Sequence, residues 1–508
     1  DSIRQEDGIR MKRIAPLVVT LAAMFSFLLA TPKQASQKNY RPAVQEYVLE
    51  NGMKVLMLVK PGVPRVVCHI YYKVGSINER PGITGLAHLH EHMMFKGTRM
   101  MGVSDFEKDD ALNQRIDSLM EQVYKERFWK QKGDVAKADA LEKEAEALMK
   151  EEKQYIIKDH LWETLMRNGG TGLNASTGNE STGYYVTLPS NKVELQMLLE
   201  ADRMQNAYYR EFYSEKNVVM EERRLSENSP GSLFDEQVNS VFYAASPYSW
   251  DVIGWMDDLR KVTRKDLAEF HNRYYVPNNA VAVYVGDFDP QKLLTLVKKY
   301  FGPIPKGPEN EPIRTYEPAQ MCEKRVYGKG PAATRVDMYF HAPADGQQDS
   351  DALSLLGGIL SGETGRLFKS LVKEQDLTAR VSARYDAMWY AGQFSVGAFP
   401  KVQKGVTPEK MEAALWEQIE KVKREGVTEV ELQKVKNNTE ARLTRMLQQP
   451  MFLAMMLGRE ELNRGWASMF DDIESMKKVT VEDVRKAAEK YLVRDNVTVA
   501  VYTRGAGK

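Results

Sequence analysis

Residues 262–283, VTRKDLAEFHNRYYVPNNAVAV, lie without a gap over residues 479–500, VTVEDVRKAAEKYLVRDNVTVA, with six of 22 positions identical. Asp266 matches Asp483, Tyr274 matches Tyr491 and Asn279 matches Asn496. Each copy reads as a helix capped by Thr, a turn, and a strand rich in Val and Ala. The offset, 479 minus 262, is 217 residues. That is far beyond the period of a solenoid and points to a duplicated domain. Between the copies, residues 302–318 hold five Pro and two Gly among scattered charges, the composition of a linker.

Strands mix with amphipathic helices in both halves. Asn51-Gly52 inside 49–59 is a tight-hairpin signature, and 66–74 has strand composition. Helices are expected at 193–203 and 432–443. Hairpins with few βαβ units favour an α+β fold: two homologous sandwiches of helices on antiparallel sheet. Residues 106–167 depart from this alternation. They are charged, rich in Lys, Glu, Ala and Leu, and poor in strand formers. Leu112, Ile116, Leu119 and Val123 recur at helical spacing, as do Leu141, Ala145 and Leu148 after Gly133-Asp134. The expectation is an antiparallel helical hairpin inserted in the first half, solvated and packed on itself, with a docking arm as the alternative. The domains are then 38–301, with the insertion, and 319–508.

The charge balance narrows the function classes. With 71 Lys and Arg against 70 Asp and Glu, the net charge of +1 gives no basic surface for nucleic acid. Two cysteines, Cys68 and Cys322, cannot build a disulfide framework or a four-thiolate metal site, and read as quiet core residues. Met11, Lys12 and Arg13 open an uncharged run, 14–30, with a polar segment after it. This is the layout of a secretory signal peptide, with cleavage expected near Ala30 and residues 1–37 outside the mature fold. An uncleaved anchor is the alternative reading. No other apolar run is long enough to span a bilayer, so the mature chain is expected to be soluble and periplasmic or secreted.

The chemistry concentrates at 85–98, GLAHLHEHMMFKGT. His88, Glu91 and His92 form H-x-x-E-H, and three of the seven histidines fall within five positions. On a helix, His92 lies about 40° to one side of His88 and Glu91 about 60° to the other. All three thus share one face, where two imidazoles can hold zinc while the carboxylate stands beside the attacking water. His90 points roughly 200° away and is assigned to packing. Catalytic zinc needs a third protein ligand. FYSEKNVVMEERR, 212–224, offers Glu215, Glu221 and Glu222 on a predicted helix. Glu215 and Glu222 are two turns apart and share a face, so Glu222 is assigned as the third ligand and Glu215 as the carboxylate that hydrogen-bonds a ligand histidine.

At this point the chain resembles a known family. GLAHLHEHMMFKGT is similar to the inverted zinc motif of the pitrilysin, or insulinase-like, metallopeptidases. The similarity runs on through LNAST (173–177), LEADRM (199–204), EKNVVMEE (215–222), the strand at Asn279, and LSGETGRLF (360–368). The resemblance implies two homologous α+β domains per chain. It also implies that chains of this length pair, as a homodimer or with a homologous chain, so that four domains enclose a chamber. It further implies a zinc endopeptidase acting on peptides or unfolded segments, in which Glu91 takes a proton from the attacking water and passes it to the leaving amine. Asn174 and Ala175 are expected to meet the substrate backbone as an added strand, and Arg366 to reach the substrate.

Two departures from the family pattern stand out. His92 and Glu222 are 130 residues apart (222 minus 92), longer than is usual, and the inserted hairpin accounts for the excess. In LTARVSA, 377–383, Ala379 stands where many active members carry a Tyr, and the second half has no H-x-x-E-H. The chain therefore resembles the zinc-bearing half of a pair, with a companion able to supply the Tyr. The rival reading is a non-catalytic assembly subunit, a class that usually loses the metal residues; here all are present.

Overall fold

Residues 41–505 of the 508 are described by a computed structural model. The expected signal segment and its cleavage site lie outside the described residues. The first half opens with strands β1 (Gln45–Val48), β2 (Lys54–Val59) and β3 (Arg65–Tyr72), then helix α1 (Leu86–Met93). Helices α2 (Phe106–Tyr124), α3 (Val135–Glu152) and α4 (His160–Arg167) precede β4 (Thr171–Thr177) and β5 (Thr182–Pro189). Next come α5 (Val193–Asn206), α6 (Phe212–Asn228), α7 (Ser232–Phe242), α8 (Met256–Lys261) and α9 (Arg264–Tyr274), then β6 (Ala280–Gly286) and α10 (Pro290–Phe301).

The second half runs β7 (Lys324–Gly330), β8 (Arg335–Ala342), α11 (Ser350–Leu360), β9 (Thr378–Ala387) and β10 (Gly392–Pro400). It continues with α12 (Pro408–Glu425), α13 (Glu429–Met446), α14 (Pro450–Asn463), α15 (Ser468–Lys478), α16 (Val481–Tyr491) and β11 (Val497–Arg504). Residues 302–318 between the halves carry no helix or strand.

The two sheets share one plan. The first is ordered β1-β2-β6-β3-β5-β4 and the second β7-β11-β8-β10-β9. Removing β1 superposes the orders, including one parallel pair in each, β2 with β6 and β7 with β11, among antiparallel neighbours. The repeated segments occupy equivalent places as α9-β6 and α16-β11. Thr263 and Thr480 each close a capping box with Asp266 and Asp483, which satisfies the first free N–H groups of the helix. Asn279 Nδ2 donates to Tyr274 O at 2.8 Å and Lys73 O at 3.2 Å. Asn496 Nδ2 donates to Tyr491 O and His341 O, both at 2.8 Å. The matched asparagines therefore do one job: each ties the end of its helix to the adjacent strand.

Side chains of the first sheet alternate between its two faces. Cys68, Ile70 and Tyr72 of β3 and Ala282 and Tyr284 of β6 enter the core beneath the helices, whereas Tyr71 and Val283 approach Gly458 of α14. A helix of the second half thus packs on the outer face of the first sheet, which is why β6 is buried at every position. Cys68 is buried as expected, but Cys322 is exposed, because it falls in the irregular stretch before β7.

The insertion differs from its expectation in two ways. It has a third helix, α4, after the α2-α3 hairpin. It also does not pack only on itself: Leu112, Ile116, Met120, Val123 and Tyr124 join the main core. Acidic residues of α2 stitch it down. Asp109 pairs with Arg210 at 2.8 Å, both side chains wholly buried, and Asp117 takes Arg264 Nε at 2.8 Å and Tyr213 OH at 3.0 Å.

Candidate metal centre and the cleft beside it

Helix α1 starts at Gly85, whose φ of +84° and close approach to Ile253 O, 2.4 Å from where a Cβ would lie, leave room only for glycine. Glu79 caps this start: its carboxylate accepts Gly85 N–H at 2.9 Å and Ala87 N–H at 2.7 Å. These are the free donors of the first turn. Glu79 thus anchors the start of the helix, while Leu86, Ala87, Leu89 and Met93, buried in the core, orient its opposite face.

That face carries His88, Glu91 and His92. His88 and His92 lie with ring centroids 4.8 Å apart. From α6, Glu222 Oε2 comes to 3.9 Å from His88 Nε2 and 3.7 Å from His92 Nε2. One donor atom from each of the three lies within 4.8 Å of the others. Glu215 Oε1, two turns earlier on α6, holds His92 Nδ1 at 3.0 Å and turns Nε2 toward the cluster. Glu221 instead bonds Arg224 at 2.8 Å and faces solvent. His90, on the opposite face, is fully buried, with Nε2 at 3.0 Å from His271 Nδ1. His88 Nδ1 is buried with no hydrogen-bond partner among the described residues.

The electrostatics suit a cation. Burial, with His92 nearby, pushes His88 down to about 4, leaving the neutral imidazole that can act as a ligand. For His92 burial acts downward, but the Glu215 hydrogen bond and the Glu222 charge outweigh it and raise its pKa. For Glu215 burial acts upward, yet the hydrogen bonds of His92 and Lys96 win and hold it at about 2; Lys96 Nζ lies 2.6 Å from it. The Glu222 oxygen lies 3.7 and 3.9 Å from the two imidazole nitrogens, somewhat wider than the edge of a tetrahedron with bonds near 2.05 Å (about 3.3 Å). Two imidazoles and a carboxylate are donors that could hold a zinc ion, and three protein ligands would leave one position open.

Glu91 is the fourth member of the face. Thr177 Oγ1, at the end of β4, donates to Glu91 Oε2 at 2.6 Å, while burial pushes Glu91 above the ordinary carboxylate value. β4 is the edge strand of the first sheet and, among the described residues, pairs with no strand but β5, so its other edge presents backbone groups to which an extended peptide could add. Asn174 is exposed on this strand, and its Oδ1 accepts Ala175 N–H at 2.9 Å. A cleft of about 790 Å³ opens beside Glu91, His92 and Asn174. The segment from Ile156 to Glu163, at the end of the insertion, also lines it.

Arg366 is placed elsewhere. Its Nε and Nη2 each donate to Glu431 at 2.7 Å, and Nη1 donates to Gly426 O at 2.9 Å. It does not line the cleft. Ala379 is exposed on β9. Thr177, Glu79 and Lys96 have no role assigned from the sequence. Thr177 ends the LNAST string, whose polar end is the signal for it. Glu79 and Lys96 carry no pattern that separates them from surface charge.

A duplicated helix-on-sheet fold with H-x-x-E-H on one helix and a carboxylate on a second defines an inverted-motif metallopeptidase scaffold. Residues 54–108 match "Insulinase (Peptidase family M16)", and residues 261–439 match "Peptidase M16 inactive domain". The zinc protease PqqE of Helicobacter pylori is 27% identical over 96% of this chain and 99% of its own. A protease structure from Helicobacter pylori aligns with a TM-score of 0.74 at 25% identity, covering 91% of this chain and all of that one. The first half of the periplasmic protease PqqL from Escherichia coli shares the fold, with a TM-score of 0.66 at 18% identity over 91% of this chain and 92% of that one. The chain belongs to peptidase family M16, the insulinase-like family.

Proposed function

We propose that the chain is an exported zinc endopeptidase that hydrolyses peptides or unfolded polypeptide segments. The observation that carries this reading is Glu91: it shares one helical face with His88 and His92, is anchored by Thr177, and stands at a cleft beside the free edge of β4. A substrate pairs along β4, where Asn174 and Ala175 meet its backbone. Glu91 takes the proton of the attacking water and delivers it to the leaving amine. His88, His92 and Glu222 would hold a zinc ion, with Glu215 orienting His92; when bound, the ion would supply charge that polarises the scissile carbonyl. The apolar run at 14–30 and the word "periplasmic" in the name of the PqqL neighbour support export. Pairing with a second chain remains part of the proposal, as does the division into domains 38–301 and 319–508. A companion would supply substrate contacts that Ala379 does not, while Arg366 would have to leave Glu431 to make its own.

The rival reading, a non-catalytic subunit, draws on the description of the matched 261–439 region as an inactive domain. Metal analysis of the purified protein together with a peptide-cleavage assay separates the two. The expected result is zinc near one per chain and cleavage that Glu91→Gln reduces below about a tenth while zinc is retained, since general-base catalysis is worth about 10²- to 10⁴-fold. A metal-free wild-type chain, or full activity in Glu91→Gln, would overturn the proposal.

A further inference from the structure

Part of the lining of the cleft belongs to the insertion, and it is held by hydrogen bonds. Ile157 N–H donates to Gly102 O at 3.0 Å, Ser104 N–H to Tyr155 O at 2.8 Å and Gly102 N–H to His160 Nδ1 at 3.1 Å. Val103 and Ile156 form an antiparallel bridge. The segment is thereby fastened to the residues that follow α1. At the turn into α4, Asp159 takes φ +51°, a left-handed conformation uncommon for a residue with a side chain, and Leu161 beyond it is buried in the core.

This framework holds two large apolar side chains out into the cleft. Ile157 is 42% exposed and Trp162 47% exposed, and both line the same cavity as Phe95, Glu91 and Asn174. A single exposed apolar residue needs no explanation. Two on a hydrogen-bonded scaffold, in one cleft with the candidate base and the edge strand, form a surface that a ligand would cover. A strand added to β4 sends alternate side chains to opposite faces, so one set of substrate side chains points into this cleft.

The geometry points to Ile157 and Trp162 as specificity-determining residues: the insertion supplies a subsite for a bulky apolar or aromatic side chain of the substrate, close to the scissile bond. This rests on the peptidase reading for the identity of the ligand. It also gives the insertion a task at the site, rather than at a partner's surface.

The test uses the zinc-loaded, full-length Glu91→Gln chain and a mixed octapeptide library, with retained peptides identified by mass spectrometry. Individual peptides carrying Phe or Ala at the selected position are then titrated. The expected result is enrichment of Phe, Leu, Tyr or Trp at one position. Trp162→Ala should lower the Phe-to-Ala affinity ratio about tenfold, Ile157→Ser should lower it less, and Trp162→Phe should restore most of it, tenfold being the size of a modest interface hot spot. Trp129→Ala, at an exposed tryptophan in the turn between α2 and α3, serves as the control and leaves the ratio alone. An unchanged ratio in Trp162→Ala, no positional preference, or no peptide retained would overturn the subsite. Wild-type cleavage is assayed in parallel. If the enzyme cleaves and the ratio does not respond, the subsite fails and the peptidase reading stands. If the Trp162-dependent preference appears without any cleavage, the reverse holds.

Discussion

Thr177 Oγ1 lies 2.6 Å from Glu91 Oε2 and donates to it, so the end of the edge strand and the candidate base are joined by one hydrogen bond. Because β4 would also pair with the substrate, this bond sets the base in register with the peptide it serves. A hydrogen bond to a charged group is worth about 1.5–3 kcal/mol, roughly 10- to 150-fold in rate. Thr177→Val, which keeps the branched shape and removes the hydroxyl, should lower kcat by that factor with little change in KM. Thr177→Ser should recover most of it. Steady-state kinetics on the three proteins decide the matter, and equal kcat values for wild type and Thr177→Val would remove the role.

The three carboxylates of α6 should separate by metal affinity. Glu222 faces both imidazoles, whereas Glu221 is bonded to Arg224 in solvent. Glu222→Gln should therefore lose zinc under chelator competition where Glu221→Gln does not. Glu215→Gln should fall between them, weakening zinc binding about 10- to 100-fold through the loss of the bond that orients His92. If Glu221→Gln proves the weaker binder, the ligand assignment is wrong by one residue.

These assignments were legible in the sequence because they depend on local geometry. A spacing of three, four or seven residues on a helix places side chains on one face whatever surrounds it, and His90 could be set apart from His88 and His92 for the same reason. The duplicated asparagines were legible too, since Asn279 and Asn496 serve short-range ties that recur with the repeat. What escaped was long-range. The insertion reads as a self-contained solvated hairpin because Asp109, Asp110 and Asp117 look like surface charge; only the fold brings Arg210, Tyr208 and Arg264 to them from about a hundred residues or more away. Arg366 matched a motif, but its partner Glu431, 65 residues on, could not be read from the chain. The cover of the first sheet by α14 had no sequence signature at all.

The seam of the insertion should also register pH. Glu152, at the end of α3, is buried, and burial is the main reason its carboxyl is pushed up to about 7; Asn113, donating at 2.8 Å, opposes this, and the Asp109 charge adds to it. The unfolded chain ionises this group near 4.5. Folding thus favours the protonated form: its contribution is complete below about 4.5, declines as pH rises, and is gone above about 7. At about 1.4 kcal/mol per unit, the decline is at most about 3 kcal/mol. Glu152→Gln keeps an acceptor oxygen and cannot ionise, so its Tm should exceed that of wild type at pH 8 and the difference should shrink toward pH 5. A difference independent of pH would mean that Glu152 is ionised throughout.

Gly458 offers the sharpest test of how the second half is fastened to the first. In a helix interior, Gly→Ala ordinarily gains about 0.8–1.0 kcal/mol from backbone propensity. Here an added Cβ on α14 would come within 2.3 and 2.7 Å of the Tyr71 ring and 3.2 Å of Val283 Cγ2. The ring has little room to move: Tyr71 is buried and stacks on His69 with centroids 3.9 Å apart, and its strand is hydrogen-bonded on both sides. Forcing a methyl group into a packed contact costs about 1–3 kcal/mol, so overpacking outweighs propensity and Gly458→Ala should destabilise the protein by up to about 2 kcal/mol. Tyr71→Leu opens space at the same point, and in that background the sign should reverse and Ala should stabilise, a coupling that a double-mutant cycle reads directly. Denaturant unfolding of the four proteins gives both numbers. A Gly458→Ala chain more stable than wild type would show that α14 does not pack closely on β3 and β6.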